Sequence, residues 1–259
     1  MTYQRFIALG DSFTEGLNDT VGPSGQHRGW ADRVAQQLAI ANPEFRYANL
    51  AVRGRLVGQV LHEQVPQALR LQPDLVSIGA GINDAMRRHF DLEAAADCLG
   101  ESVAALRDSG AEVVVFAFGD PSRRSRVMGS ISDRLVAYRE ATLAIAAEND
   151  ARVVDFWGAA VFDNDEFWSS DRLHLSPAGH QLVARAFLHG IDLADDSWRT
   201  PPAAGPRAPW VHRRLDDVRW CADFAGPWLN RRLRGRSSGD GMTAKYPQWM
   251  TVAELDPQV

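Results

Sequence analysis

The chain has 259 residues, 45% of them apolar and 24% charged, with 28 Lys and Arg against 33 Asp and Glu and a net charge of −5. That composition excludes a disordered or fibrous chain, and the mild acidity excludes a surface built to wrap nucleic acid. No run of 18 apolar residues occurs, so no transmembrane segment is expected.

The first apolar run follows directly on Met1-Thr-Tyr-Gln-Arg, without the longer apolar stretch and cleavage site of a signal peptide, so a cytoplasmic location is expected. Arg5 to Leu9 reads as a first strand. Helical spacing of apolar residues follows over Trp30 to Ala41. A weaker strand is expected at Arg46 to Leu50, then a helix over Leu56 to Leu71 and a third strand over Asp74 to Gly79. Asp91 reads as the N-cap of a helix ending near Gly110. Glu112 to Phe118 is the clearest strand, followed by a helix over Asp133 to Glu148 and a fifth strand over Arg152 to Trp157. Ser176-Pro177 is a cap followed by proline at the first helical position, opening a last helix that ends near Gly190. Near-continuous apolar strands suit burial on both faces, and strand–helix alternation implies a parallel α/β sheet with helices on both sides.

Beyond Asp195 the texture changes. Thr200-Pro-Pro-Ala-Ala-Gly-Pro reads as a linker. The stretch from Asp195 carries five of the eight tryptophans, ten basic and eight acidic residues. Apolar residues at Val211, Leu215, Val218, Ala222 and Ala225 predict a short amphipathic helix, and Trp228 to Leu233 another turn or two. The chain is therefore expected to divide into a catalytic domain, 1–195, and a mostly helical extension, 196–259, packed back on it. Only one of the 28 basic residues is a lysine, Lys245, a scarcity that reads as genome composition bias. Cys98 and Cys221 are expected as reduced thiols, and no Cys/His cluster has zinc spacing, so no metal or other cofactor is expected.

In an open parallel sheet, ligands bind beyond the carboxyl ends of the strands. There the sequence places Gly10-Asp11-Ser12-Phe13-Thr14-Glu15-Gly16, Arg53-Gly54-Arg55, Gly81-Ile82-Asn83-Asp84, and Asp171-Arg172-Leu173-His174. This inventory suits acyl transfer. Ser12 supplies a hydroxyl and His174 the base that activates it. Asp171, three residues earlier, is placed to orient the imidazole. The backbone N–H groups of Ser12 and Gly54 and the Asn83 amide are candidate oxyanion donors. Gly54 also reads as a turn glycine with positive φ, which is compatible with that role. Asp11 reads as a brace for the nucleophile turn. Arg53, Arg55, Arg123, Arg124 and Arg126 border the expected site, as holders of an anionic substrate group or as a solvated surface. The other histidines, His180 among them, read as surface or packing residues.

These four blocks resemble the SGNH (GDSL) hydrolase family, in order and over about residues 5–190. The fourth motif position holds Phe13 instead of leucine. The resemblance implies a three-layer α/β/α sandwich of flavodoxin-like order with a five-stranded parallel sheet. It also implies ester hydrolysis without a metal, with Ser12 as nucleophile, His174 as base, Asp171 as its orienter, and Ser12, Gly54 and Asn83 as the oxyanion hole. The α/β-hydrolase fold shares the order Ser, Asp, His, but its nucleophile lies in G-x-S-x-G after a mid-sheet strand, and here Thr14 stands at the +2 position. The expected function is a serine esterase acting on small, short-chain acyl esters. An acyltransferase or sugar deacetylase on the same scaffold, and a non-catalytic binding module, are the other readings. A base of this kind predicts activity that falls below about pH 6–7.

Overall fold

The computed structural model describes residues 2–22, 25–123, 129–200 and 237–255. Five strands form a parallel sheet: β1 (Arg5–Gly10), β2 (Arg46–Asn49), β3 (Leu75–Gly79), β4 (Glu112–Ala117) and β5 (Arg152–Asp155). Along β1 and β4 successive side chains alternate between two buried layers. Phe6, Ala8, Val114 and Phe116 enter one core cluster, and Ile7, Leu9, Val113 and Val115 enter the other. Both faces are dry, which is why these strands read as continuous apolar runs.

The first cluster is completed by α2 (Gly29–Ile40), which follows the one-turn α1 (Ser12–Glu15). Trp30, Ala31, Val34, Ala35 and Leu38 share the buried stripe of α2. The second cluster is closed by α3 (Val57–Gln59), a π-helical turn (Val60–Gln64) and α4 (Val65–Leu71). After α5 (Ile82–Ala85), two long helices join that layer: α6 (Leu92–Asp108) and α7 (Ser132–Glu148). Finally α8 (Pro177–Gly190) returns to pack beside α2.

The expected caps are in place. The Asp91 carboxylate accepts from Ala94 N at 3.0 Å, and Ser176 Oγ from Gly179 N at 3.2 Å. The single helix expected over 56–71 is broken at the π turn. Pro66 has no N–H to offer the preceding turn, so the ladder is interrupted there. The same turn sends Gln64 into the core, where its side chain bonds both Gly10 N (2.8 Å) and Gly10 O (2.9 Å).

The sheet has six strands, not five, in the order β5-β4-β3-β1-β2-β6. The sixth, β6 (Tyr246–Thr251), runs antiparallel beside β2, with Tyr47 opposite Met250. It comes from the extension expected to be mostly helical. Pro247 weakens a strand reading of that stretch, but an edge strand tolerates proline where no partner needs its N–H. Leu255 is buried in the first core cluster. Trp198, on a 3-10 turn (Asp196–Arg199), packs its ring on Phe156 and Phe162. The boundary expected at 195 therefore falls beside a buried core residue. The helices expected over 211–225 and 228–233, and Cys221, lie outside the described residues. Cys98 is a free thiol.

Candidate active site

Chain order reverses between β1 and β3, and the crevice beyond their carboxyl ends is the switch point of the sheet. Ser12 leaves β1 there, and Asn83 lies just past β3. Asp11 caps α1: its Oδ1 accepts from Phe13 N at 3.0 Å, and its own N–H donates to Gly79 O at 3.2 Å. Ser12, first residue of α1, carries an N–H that no described residue accepts. Phe13 accounts for the altered fourth motif position. Its ring sits edge-on to Phe116 and Phe118 at 5.1 and 5.3 Å, an arrangement that favours an aromatic side chain there.

His174 comes from the loop between β5 and α8. A β-bridge between Trp168 and Leu175 and a bond from Ser169 N to His174 O (2.9 Å) fold that loop tightly, with Arg172 at φ +57. His174 Nε2 lies 3.0 Å from Ser12 Oγ, and His174 Nδ1 lies 2.6 Å from Asp171 Oδ2. Asp171 also accepts from Ser169 Oγ (2.6 Å), Asn18 Nδ2 (2.8 Å), His174 N (2.9 Å) and Leu173 N (3.0 Å). Burial pushes this carboxyl up, but the His174 bond and charge, with the Ser169 and backbone donors, outweigh it and hold Asp171 well below the usual carboxylate range. An ionised Asp171 keeps the imidazole proton on Nδ1 and turns the Nε2 lone pair toward Ser12.

Gly54 has φ +76, in the left-handed region its lack of a side chain permits. Its N–H has no acceptor among the described residues. Asn83 Nδ2 lies beside the nucleophile turn, but its hydrogens are directed to Asp11 Oδ2 (2.9 Å) and Arg55 O (3.2 Å). Asp11 is fully buried. Desolvation raises its pKa to about 7, against the opposing effects of the Phe13 N–H and the His174 charge.

The two arginines beside Gly54 turn away from the crevice. Arg53 wraps Glu15, with its N at 2.7 Å from Oε2 and Nε at 2.8 Å from Oε1, and Arg55 Nε pairs with Glu63 at 2.9 Å. Their charges are thus met by this chain's own carboxylates. Arg123 ends a 3-10 turn (Pro121–Arg123) at the edge of the described residues, and Arg124 and Arg126 lie outside them. Of the two readings of His180, surface or packing, the structure shows packing. The residue is 1% exposed, with Nε2 3.1 Å from Leu17 O, and burial lowers its pKa to about 4, so it is neutral.

A cavity of about 130 Å³ opens beside Ser12 and His174, walled by Ile82, Met86, Phe118, Phe156, Phe162 and Trp168. Asn18 and Ser169 were not anticipated from sequence. Asn18 sits at φ +69, a conformation asparagine adopts more readily than most residues, and that was the only local signal.

A serine, an imidazole and a carboxylate in hydrogen-bonded line at the switch point of a mostly parallel sheet are suited to acyl transfer. A family model described as the GDSL-like lipase/acylhydrolase family matches residues 8–182, two thirds of the chain, and the chain belongs to that family. An acetylxylan esterase of Geobacillus stearothermophilus is 27% identical over 219 residues, covering 73% of this chain and 94% of the relative. Two solved structures share the fold. An α/β hydrolase enzyme from the metagenome of Lake Arreo, Spain, superposes with a TM-score of 0.62 at 24% identity, over 74% of this chain and 97% of its own. A variant of an acetyl xylan esterase from Geobacillus stearothermophilus superposes with a TM-score of 0.63 at 23% identity, over 74% and 96%. Among the described residues, no helix is long and apolar enough to cross a membrane.

Proposed function

We propose that this ester hydrolase works through an acyl-enzyme on Ser12 and acts on esters of short acyl chains. The observation that carries the reading is the line Ser12 Oγ–His174–Asp171, at 3.0 and 2.6 Å. Ser12 Oγ attacks the ester carbonyl as its proton passes to His174 Nε2. Ionised Asp171 stabilises the imidazolium without taking a proton itself. The carbonyl oxygen becomes an oxyanion facing the Ser12 and Gly54 N–H groups. The Asn83 amide joins them by giving up its longer bond, to Arg55 O. Collapse breaks the bond to the alcohol oxygen, which leaves with the proton from His174. Water then attacks the acyl-enzyme, giving its proton to His174, and the acid departs as Ser12 regains its hydrogen.

The cavity supports a short acyl group. At about 130 Å³ and walled by aromatic rings, it holds a few carbons and rewards their removal from water. A second reading, deacetylation of a carbohydrate, is favoured by the acetylxylan esterase relative. Hydrolysis of short-chain aryl esters, compared with release of acetate from an acetylated xylo-oligosaccharide, separates the two. Ser12→Ala and His174→Ala, checked for folding by circular dichroism, are each expected to lose at least about a thousandfold in kcat. A folded variant of either kind retaining most of its turnover would refute the mechanism.

A further inference from the structure

The turn bearing Gly54 is gripped from two sides. On one side Arg53 N and its guanidinium hold Glu15, which lies on the same helix as Ser12. On the other side lies a stretch of chain far away in sequence, Ser237-Ser238-Gly239-Asp240. A side-chain carbon on Gly54 would run into Ser237 Oγ and stand 3.3 Å from Ser238 Oγ. A side-chain carbon on Gly239 would overlap the carbonyl oxygen of Arg53 and stand 3.4 Å from a Val52 methyl. The two backbones therefore touch where only glycines fit.

This distant stretch is itself firmly held. Its turn is closed by Ser237 N on Asp240 Oδ2 at 2.9 Å and by Met242 N on Gly239 O at 3.1 Å. Five residues past Asp240, the sole lysine dives into the protein. Lys245 Nζ donates to His27 O and Arg28 O at 2.8 Å and to Asp32 Oδ2 at 2.9 Å, with both charged side chains about 95% buried. β6 then pairs with β2, the strand that feeds the Gly54 turn. The family match stops at residue 182, so the gripping segment itself lies beyond it.

We infer that residues 237–240 are a positioning segment for the reaction. Pressed against Arg53 and Gly54, they keep the Gly54 N–H aimed at the developing oxyanion. The inference rests on the oxyanion role given to Gly54 above. Only the transition state carries that charge, so the segment acts on kcat and leaves substrate binding alone.

Two variants of the full chain test it. Gly239→Ala forces a methyl against the Arg53 carbonyl. Gly241→Ala strains the same turn, at φ +76, but its methyl meets nothing within 4 Å. With a short-chain aryl ester, Gly239→Ala is expected to lower kcat about ten- to hundredfold with KM within about threefold. Gly241→Ala is expected to stay within about threefold in both. Folded Gly239→Ala with kcat within twofold of the parent overturns the inference. So does an equal loss in Gly241→Ala, which would reduce the segment to a general stabiliser, or a loss confined to KM. Ser12→Ala is assayed alongside. If it is inactive, these outcomes bear on the positioning segment alone, and if it is active, the acyl-enzyme reading falls and takes this one with it.

Discussion

Asp11 shows how much one residue type is asked to do at a nucleophile turn. Its carboxylate caps α1 through Phe13 N and holds the Asn83 amide, yet it is fully buried and its pKa stands near 7. An ordinary carboxyl in the unfolded chain titrates near ~3.9. A group whose pKa is raised by folding contributes stability that is complete below the unfolded value and is lost as pH rises through the folded one. Between about pH 4 and 7 the native state is therefore expected to lose stability through Asp11. Thermal midpoints of the parent and Asp11→Asn across pH 4–8 check this. The parent should decline relative to the variant over that window, and parallel curves would show that Asp11 does not titrate there. Asp171 contrasts with it: only partly buried and reached by five donors, it stays ionised. Two aspartates within one site are separated by how deeply they are buried and by the donors that reach them, quantities no local sequence pattern carries.

At the scale of elements, β6 and α2 are joined by the Lys245–Asp32 pair. Asp32 also accepts from Tyr47 OH at 2.8 Å, so the first turn of α2, β2 and the chain entering β6 meet at one carboxylate. Burial raises the pKa of Asp32, and the Lys245 charge opposes that rise. Removing one partner of a buried pair strands the other. Lys245→Met is expected to cost about 3–5 kcal/mol in chemical denaturation at pH 7. A cost under ~1 kcal/mol would mean that Asp32 is satisfied without it. Lys245 is thus a structural anchor, and its significance comes from where it lands.

Taken whole, the molecule closes its sheet with chain from beyond the family's span. Leu255 and Trp198 lie in the first core cluster, and Tyr246 and Met250 pack against it. We propose that the two expected parts, 1–195 and 196–259, unfold together. A chain ending at residue 195 would lose Trp198 from the core and uncover the β2 edge, leaving unpaired backbone groups that invite association. It is expected to be poorly soluble or to melt at least about 10 °C below the parent, on the scale set by a loss of several kcal/mol. A soluble 1–195 fragment with an unchanged midpoint would establish two independent units instead.

The sequence alone determined the five parallel strands to within two residues at their ends, the caps at Asp91 and Ser176, and the placing of Ser12, Gly54, Asn83, Asp171 and His174 beyond the strands. Each of these rests on local physics: side-chain alternation on a pleated strand, a short polar side chain before a helix, a small residue where the backbone turns. The tertiary structure decided what depends on partners distant in the chain. It added β6, whose proline hid an edge strand, and turned His180 inward. It matched Arg53 and Arg55 to Glu15 and Glu63. It brought Asn18 to Asp171 across 153 residues and Ser237 to Gly54 across 183. Such pairings are set by the way whole layers pack, and no window of neighbouring residues contains both halves of them.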